Sequence, residues 1–266
     1  LGAAKLAVSR GFKTSLTTMG QLKNHHRIDL IDLGVHIEEG MHSLSNLEDL
    51  NFIVKSPGVS PKIELLQVAR MQQIPIISDI EFGYMFTAAH ITAVTGTNGK
   101  TTTAKLLWHI LKSADFNVGL AGNIGQSFCE SILENNFDYY VLELSSFQLE
   151  DIVDFKPNIA ILLNINEDHL DRYDNDFTTY IDTKLRIQMN QTDTDDFIYF
   201  SNDTNITPHL ANVQATKYSF GDAQSHHTKH GAWINNTQII INTIKNNFTM
   251  TIHNLALQGT HNLYNS

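Results

Sequence analysis

The chain has 266 residues, of which 42% are hydrophobic and 17% are charged, and its formal net charge is −10 at pH 7. This composition is typical of a globular protein, and the acidic balance argues against a nucleic-acid binder, which needs a basic surface. A single cysteine, Cys129, excludes a disulfide framework and a cysteine-rich metal site. No apolar run approaches the roughly 20 residues of a membrane span, so we expect a cytoplasmic protein with no membrane partner.

Residues 1–88 alternate between short apolar runs and helical patterns. The expected strands are 12–17, 34–37, 51–55 and 75–77, and the expected helices are 1–12, 21–33 (a helix or a loop) and 63–71. Strand–helix alternation of this kind indicates a parallel sheet with crossover helices, so we predict a Rossmann-like domain over 1–88. Because the chain opens on a helix, without a preceding strand or Met, we expect the first strand of this domain to be missing.

The same region lacks the signature of dinucleotide binding. That signature needs a glycine-rich turn after the first strand and an acidic residue about 20 residues further on. The strand 12–17 instead runs into Thr17-Thr18-Met19, which offers no carboxylate to a ribose. We therefore expect a Rossmann-like shape without NAD.

A second α/β unit begins near His90, and the boundary between the two units is expected around 82–89. Its expected strands are 90–95, 117–122, 139–144 and 159–165, and its expected helices are 101–113, 126–133 and 178–190. After Phe197 the pattern changes to short strands separated by Asn, Gly and Asp turns, which favours a small antiparallel β appendage. We predict a central P-loop ATPase-type domain with a parallel sheet over 89–266.

The strongest motif is TGTNGKTT, at residues 95–102, between an expected strand and an expected helix. Glycines let backbone N–H groups turn inward, and the helix N-terminus adds partial positive charge. Lys100 would then reach the β- and γ-phosphates of ATP, and the Thr101 hydroxyl would ligate Mg²⁺. The spacing is the short form G-x-x-G-K-T, because Val94 stands where the longer motif has glycine; the alternative is an ordinary glycine turn. The predicted phosphate-binding residues are Gly96, Thr97, Asn98, Gly99, Lys100, Thr101 and Thr102.

Two further polar runs follow expected strands. Glu143 ends the strand 139–144, and the run NINEDHLDRY at 164–173 follows the next strand. Carboxyl ends of parallel strands meet at one sheet edge, so Glu143 would hold Mg²⁺ beside the phosphate loop, unless it is a plain surface carboxylate. His169 alone is a weak signal. The alternative for the second run is a local salt-bridge and turn network, formed by Asp168, Asp171 and Arg172.

Other polar positions have plain interpretations from spacing alone. Lys184 resembles an ordinary solvated helix lysine, and Asn123, in GNIG, a turn residue. Cys129 is expected as a small core residue. A cluster in a polar loop of the β appendage favours surface histidines over a metal site, and its members are His226, His227 and His230.

Taken in order, the motifs TGTNGKTT, GNIG, ELSSFQLE, NINEDHLDRY, TKLRI and GTHNLYNS resemble those of the Mur ligase family. The resemblance covers nearly the whole chain, and ELSSFQL resembles the branch that adds D-glutamate. It implies an ATP-dependent amide ligase of peptidoglycan precursor synthesis, serving cell-wall biogenesis, cell shape and cell division. ATP would phosphorylate the carboxylate of UDP-N-acetylmuramoyl-L-alanine, and the amine of D-glutamate would attack the acyl phosphate, with release of ADP and phosphate. We expect a monomer.

The resemblance also implies roles for individual residues. Lys100 and Thr101 would bind phosphate and a first Mg²⁺, which Glu143 also ligates. A second Mg²⁺ would be held by His169 and by Lys184, carbamylated by CO₂. Lys100, Lys184 and His169 would be the catalytic residues. The substrate-binding residues would be Asn123, Ser145 and Gln148, with Ser56 and Thr18 on the UDP side, and the adenine-side residues would be Asn262 and Asn265.

The family's third domain, which contributes the D-glutamate site, would follow Ser266. We therefore expect this chain alone to bind the UDP substrate, to bind ATP weakly, and not to turn over. Two alternatives stay open. One is a sibling ligase for L-alanine, a diamino acid or folate glutamates, which ELSSFQL disfavours. The other is a non-catalytic module that binds a UDP-sugar or a nucleotide.

Overall fold

The structure is a computed structural model that describes residues 1–222, 230–244, 246–255 and 264. The helices are α1 (Gly2–Ser9), α2 (Asn24–Asp32), α3 (Glu64–Met71), α4 (Asp79–Tyr84), α5 (Lys100–Ser113), α6 (Phe128–Glu134), α7 (Ser146–Leu149) and α8 (Phe177–Leu185). The strands are β1 (Ser15–Thr18), β2 (His36–Glu39), β3 (Ile53–Lys55), β4 (Ile76–Ser78), β5 (His90–Thr95), β6 (Val118–Gly122), β7 (Tyr139–Glu143), β8 (Ile159–Leu162), β9 (Asp196–Phe200), β10 (Thr216–Asp222), β11 (Gly231–Asn235), β12 (Gln238–Asn242) and β13 (Asn247–Thr251). Short 3₁₀ turns lie at Leu44–Leu47, Leu170–Tyr173, Arg186–Gln188, Thr207–Asn212 and Ile252–Asn254.

The main sheet of the described residues has the strand order β13-β12-β11-β10-β9-β8-β5-β7-β6. All pairs from β6 through β11 are parallel, and β5 pairs with β7 on one side and β8 on the other. The predicted α/β fold with a central parallel sheet is confirmed. Because β5, β7 and β8 run side by side in one direction, the loops that follow them emerge at the same edge.

The prediction of an antiparallel appendage after Phe197 is only partly right. β9 and β10 continue the parallel sheet, and β11 pairs parallel with β10. Among the described strands of the main sheet, the pairs β11–β12 and β12–β13 are antiparallel. A crossover segment with the 3₁₀ turn Thr207–Asn212 separates β9 from β10. Turn-rich composition is common to crossovers and hairpins, so composition did not distinguish them.

The first 88 residues show the predicted strand–helix alternation, but their strands form two separate parallel pairs, β1–β2 and β3–β4. Each pair has its own small hydrophobic cluster, one around Leu30 and the other around Leu66. Helices α1 and α4 instead share the large core of the main sheet, through Leu6 and Phe82. Residues on both sides of the expected boundary at 82–89 therefore contribute to one core. The boundary itself stays a prediction.

Several local details differ from the sequence-based expectations. The expected helix 178–190 ends at Leu185 and continues as the 3₁₀ turn Arg186–Gln188. The expected helix 126–133 begins at Phe128, because the Ser127 side chain caps it by accepting the N–H of Glu130. Cys129 is buried in the core, as expected. In the part of the chain that the structure describes, no helix has the length and apolar character to span a bilayer.

Candidate active site

The TGTNGKTT segment forms a loop between β5 and α5. Strand β5 ends at Thr95, and Gly99 is the N-cap of α5, which begins at Lys100. Gly96 has φ +151°, and a Cβ there would lie 3.1 Å from the Cβ of Leu163, so a side chain at this position would crowd the chain after β8. The sequence therefore folds here as the strand, glycine loop and helix that a phosphate site requires.

Hydrogen bonds hold this loop in place. The Lys100 ammonium donates to the carbonyl oxygens of Gly96 (3.0 Å) and Thr97 (2.8 Å). Asn164 clamps the other side: its carbonyl accepts the Thr97 N–H (2.9 Å), and its side chain exchanges hydrogen bonds with the backbone of Asn98. The NINEDHLDRY run is thus attached to the loop through its first residue. Thr101 and Thr102 lie in the first turn of α5.

Glu143 ends β7 and is 1% exposed. Its Oε2 accepts a hydrogen bond from the Thr101 hydroxyl (2.7 Å), and its Oε1 accepts one from the Asn123 amide (2.8 Å). The carboxylate therefore lies directly beside the first turn of α5, and the alternative of a surface carboxylate is wrong. Hydroxyl and carboxylate oxygens are the hard donors that Mg²⁺ prefers.

Lys184 is 2% exposed, so the interpretation as an ordinary solvated helix lysine is wrong. Its ammonium donates to the Gly96 carbonyl (2.8 Å) and lies 4.8 Å from the centre of the Tyr180 ring. Burial, and then repulsion from Lys100, lower the pKa of Lys184 to about 7, against an opposing pull from Asp168. Burial also lowers the pKa of Lys100. Two desolvated amines therefore meet at one carbonyl oxygen.

His169 lies after β8, at the same edge of the sheet. It has φ +50° and precedes the 3₁₀ turn Leu170–Tyr173; its side chain is exposed, with Nε2 3.5 Å from the carboxylate of Asp168. Its ring centre lies 5.2 Å from that of Phe147. A cleft of about 300 Å³ is lined by residues from all these loops, including Gly58, Lys100, Asn123, Ser145, His169 and Lys184.

The ELSSFQ motif presents one of its two predicted contact residues to this cleft. Ser145 is the N-cap of α7 and forms a capping box with Gln148, whose side chain accepts the Ser145 N–H at 3.1 Å. Gln148 is buried and bonds to Ser145 rather than lining the cleft. Ser145 is therefore the residue that lines the cleft, and Gln148 is the residue that orients it.

The predicted UDP-side residues lie differently. Pro57 and Gly58 line the cleft, next to the exposed Ser56. Thr18 ends β1 and accepts the N–H of Gly20 (3.3 Å), and it does not line the cleft. The predicted adenine-side residues Asn262 and Asn265 lie outside the described residues, as do His226 and His227 of the histidine cluster.

The interpretation of Asp168, Asp171 and Arg172 as a local network is wrong for the arginine. Arg172 donates from Nε and Nη2 to Glu150, which also accepts a hydrogen bond from Lys55. Neither Glu150 nor Lys55 was singled out from the sequence. These partners lie 22 and 95 residues from Glu150, and ion pairs of that separation leave no spacing signal.

No group of three or more His, Cys, Asp or Glu among the described residues is placed to hold a metal ion. Mg²⁺ does not need such a cage. It keeps several waters and is usually bound through one or two carboxylates together with substrate phosphates. The pair Thr101 and Glu143, beside a phosphate-type loop, fits that donor set.

Comparisons with known proteins point in one direction. The family description "Mur ligase middle domain" matches residues 94–266. The UDP-N-acetylmuramoylalanine–D-glutamate ligase of Bacteroides thetaiotaomicron is 44% identical over 100% of this chain and 60% of its own length. A murein peptide ligase of Psychrobacter arcticus has a similar structure (TM-score 0.58, 18% identity, 99% of this chain and 60% of that one). The MurF ligase of Thermotoga maritima in complex with ADP is similar too (TM-score 0.51, 18% identity, 91% of this chain and 56% of that one).

Proposed function

Because this chain belongs to the Mur ligase family, we propose that it is part of an ATP-dependent ligase that adds D-glutamate to UDP-N-acetylmuramoyl-L-alanine. The chain spans 60% of the length of several curated relatives that it matches, and those relatives are named as D-glutamate ligases. The observation that carries the proposal is the meeting of Lys100, Lys184 and His169 in one cleft, beside the Thr101–Glu143 pair.

ATP is proposed to bind with its phosphates over the loop from Gly96 to Thr102. The Lys100 ammonium donates hydrogen bonds to two backbone carbonyls, and burial lowers its pKa against the pull of Glu143 and Asp168, so a bound phosphate would stabilise its charged form. The N-terminus of α5 favours the same charge. The similar Thermotoga maritima MurF ligase was solved in complex with ADP, which agrees with the proposal of a nucleotide ligand for this chain.

Two magnesium sites are proposed in the cleft. Thr101 and Glu143 would hold the first ion, and His169 with a carbamate on Lys184 would hold the second. Bound Mg²⁺ would neutralise the charge on the γ-phosphate and on the approaching carboxylate, which otherwise repel each other. The chain's own contribution is to fix these donors on helices α5 and α8, at the end of β7 and in the segment after β8, so that little reorganisation is needed during the reaction.

The carbamate on Lys184 is proposed from its surroundings as well as from the family resemblance. Its amine is buried and donates a hydrogen bond to the neutral carbonyl of Gly96, and Asp168 acts on it only through the longer-range attraction that opposes the lowering of its pKa. Because the pKa of Lys184 is lowered to about 7, part of its amine is neutral at pH 7. Addition of CO₂ to this neutral amine, with loss of one proton, would give an anionic oxygen ligand. A ¹³C-carbamate signal from protein equilibrated with ¹³C-bicarbonate, absent in Lys184→Met, is the expected result.

The proposed reaction has two steps. A carboxylate oxygen of the alanyl substrate forms a bond to the γ-phosphorus of ATP as the bond to ADP breaks, with Lys100 following the charge on the transferred group. The amine of D-glutamate then attacks the acyl carbon, phosphate leaves, and the nitrogen loses a proton. Asn123 and Ser145 would orient the muramoyl substrate at the cleft wall. Excluding water from the cleft would protect the acyl phosphate from hydrolysis.

The test is an amino-acid panel on the full-length protein. With UDP-N-acetylmuramoyl-L-alanine and ATP, phosphate release is expected with D-glutamate and not with L-alanine, a diamino acid or L-glutamate. Release with one of the others would support a sibling ligase, and nucleotide binding without release would support a binding module. We further propose a cytoplasmic monomer, since ATP and the UDP-linked substrate are cytoplasmic metabolites.

A further inference from the structure

Three ionised side chains meet behind the cleft, and we name them the Glu150 hub: Lys55, Glu150 and Arg172. Lys55 donates to Glu150 Oε2 (2.6 Å), and Arg172 binds both oxygens of the same carboxylate, with Nε at 2.9 Å from Oε1 and Nη2 at 2.7 Å from Oε2. The Lys55 side chain is 1% exposed, that of Arg172 11% and that of Glu150 13%. Asp151 lies 2.6 Å from Lys55 as a second carboxylate.

Each member of the hub belongs to a different wall of the cleft. Lys55 ends β3 and is followed by Ser56-Pro57-Gly58, of which Pro57 and Gly58 line the cleft. Glu150 follows α7, whose N-cap Ser145 lines the cleft. Arg172 lies in the 3₁₀ turn that begins directly after His169. One carboxylate therefore joins three of the segments that line the cleft.

An aromatic contact extends the hub to the cleft surface. The Arg172 guanidinium lies 4.4 Å from the ring centre of Phe147, and the His169 ring lies 5.2 Å from it. Phe147 is thus held between a hub residue and a cleft residue, and it lines the cleft itself. Movement of Arg172 would be transmitted to Phe147 and to His169.

Stability is a weak reason for such a hub. Burying ions costs desolvation free energy, and well-packed apolar residues are often equally stable in their place. Burial alone would raise the pKa of Glu150, but the hydrogen bonds from Arg172 and Lys55 outweigh it and hold that pKa below its usual value. The carboxylate therefore stays ionised and keeps all its contacts. A bidentate arginine–carboxylate pair also fixes the relative orientation of the two side chains, which an apolar contact does not.

We propose that Glu150 is a positioning residue, which fixes the UDP-side wall of the cleft (56–58) against the walls that carry Ser145 and His169. The part of this inference that concerns substrate rests on the proposed function. Lys55 is the member that ties the UDP-side wall, so removing its charge should loosen that wall and leave the phosphate loop intact.

Lys55→Met tests the hub, with Lys62→Met as the matched control. Lys62 also pairs with a carboxylate of the other unit, Asp174, but both side chains are exposed, so its loss should cost little. The first measurement is hydrogen exchange without ligands. The Val59 N–H bonds to the Ser56 carbonyl (3.0 Å) and reports on the UDP-side wall. Its exchange is expected to be at least tenfold faster in Lys55→Met and unchanged in Lys62→Met.

The second measurement is steady-state kinetics of the full-length protein. Lys55→Met is expected to raise the KM for UDP-N-acetylmuramoyl-L-alanine at least tenfold, with the KM for ATP within twofold, and Lys55→Arg is expected to restore it to within threefold. Glu150→Gln, which loosens all three walls, should in addition lower kcat and speed exchange at the Arg172 N–H, which bonds to the His169 carbonyl (3.1 Å). A merely structural role would alter thermal stability without this split between the two KM values.

The outcomes separate the two claims. Faster exchange in Lys55→Met, in a protein that shows no ligase activity, supports the hub and contradicts the proposed function. If the protein shows ligase activity but the two variants, Lys55→Met and Lys62→Met, have equal exchange rates and equal values of both KM constants, the hub is overturned and the proposed function stands. Should Glu150→Gln not fold, Lys55→Met alone decides, because it leaves the Glu150–Arg172 pair in place.

Discussion

The ammonium of Lys184 donates a 2.8 Å hydrogen bond to the carbonyl oxygen of Gly96, which lies 88 residues earlier in the chain. Lys100 donates to the same oxygen at 3.0 Å. Neither ammonium has a carboxylate within salt-bridge distance among the described residues. Burial lowers the pKa of both amines, and the phosphates of a bound nucleotide would stabilise their charged forms.

Lys100→Ala should weaken ATP binding by about 10-fold to 100-fold, the factor that corresponds to a charge-assisted hydrogen bond of about 1.5–3 kcal/mol. Titration calorimetry measures the affinity, and thermal unfolding shows whether the fold is intact. Lys105→Ala is the control, because Lys105 is exposed on the same helix, outside the cleft. ATP affinity of Lys100→Ala equal to that of Lys105→Ala would contradict the phosphate loop.

Glu143→Gln keeps the shape of the side chain and removes its charge. The Mg²⁺ concentration that gives half-maximal activity of the full-length protein should rise at least tenfold, because a carboxylate ligand is replaced by a neutral amide. The control is Glu134→Gln, an exposed carboxylate on α6. An unchanged Mg²⁺ dependence in Glu143→Gln would remove Glu143 from the metal site.

Gly122→Ala should disturb the same carboxylate through the backbone. Gly122 has φ +103°, and an added Cβ would lie 2.3 Å from the carbonyl oxygen of Glu143. Strained dihedrals cost about 1–3 kcal/mol, and the clash adds to this, so the free energy of unfolding should fall by more than about 2 kcal/mol. Chemical denaturation measures it. At Gly20 a Cβ meets nothing within 4 Å, so Gly20→Ala should be nearly neutral, and equal effects would refute the argument.

Asp79→Asn should change how stability depends on pH. Burial raises the pKa of Asp79 to about 6, and its Oδ1 is buried without a hydrogen-bond partner. Between pH 4 and 6 the folded state holds more protons than the unfolded state, so the wild-type protein loses stability as pH rises through this window.

Asp79→Asn lacks this carboxyl group, so it should not show the loss of stability that the wild-type protein shows as the pH rises. Relative to wild type, its free energy of unfolding should increase by at most about 3 kcal/mol between pH 4 and pH 7. Urea denaturation at both pH values gives the comparison, and Asp32→Asn, at an exposed position, is the control. A difference between Asp79→Asn and wild type that does not change with pH would show that the carboxyl titrates normally.

Much of the candidate site could be predicted, because its signals are local or follow from strand order. The loop from Gly96 to Thr102 has a motif of fixed spacing. Glu143 ends β7 and His169 follows β8, the two strands that flank β5 in the sheet. Parallel neighbouring strands bring their carboxyl ends to one edge. The hydrogen bond between Thr101 and Glu143 was not predicted in itself, but their proximity was.

The rest depends on contacts that leave no pattern in the sequence. Lys184 resembles a surface lysine, since only tertiary packing decides which face of α8 is buried. The pairing of Lys55 with Glu150 spans 95 residues. Helix α4 was missed because it is short, and its Glu81 is buried to accept three backbone N–H groups of the segment 153–155.

The central claim is that one triphosphate–magnesium centre lies at the carboxyl ends of β5, β7 and β8. A crystal structure of the full-length protein with a non-hydrolysable ATP analogue, and Mn²⁺ in place of Mg²⁺, tests it directly. We predict anomalous density for Mn²⁺ beside Thr101 and Glu143, with the γ-phosphate between Lys100 and the His169–Lys184 side of the cleft. Nucleotide and metal bound elsewhere, for example in the cavity near Arg10 and Phe137 at the opposite edge of the sheet, would contradict the account.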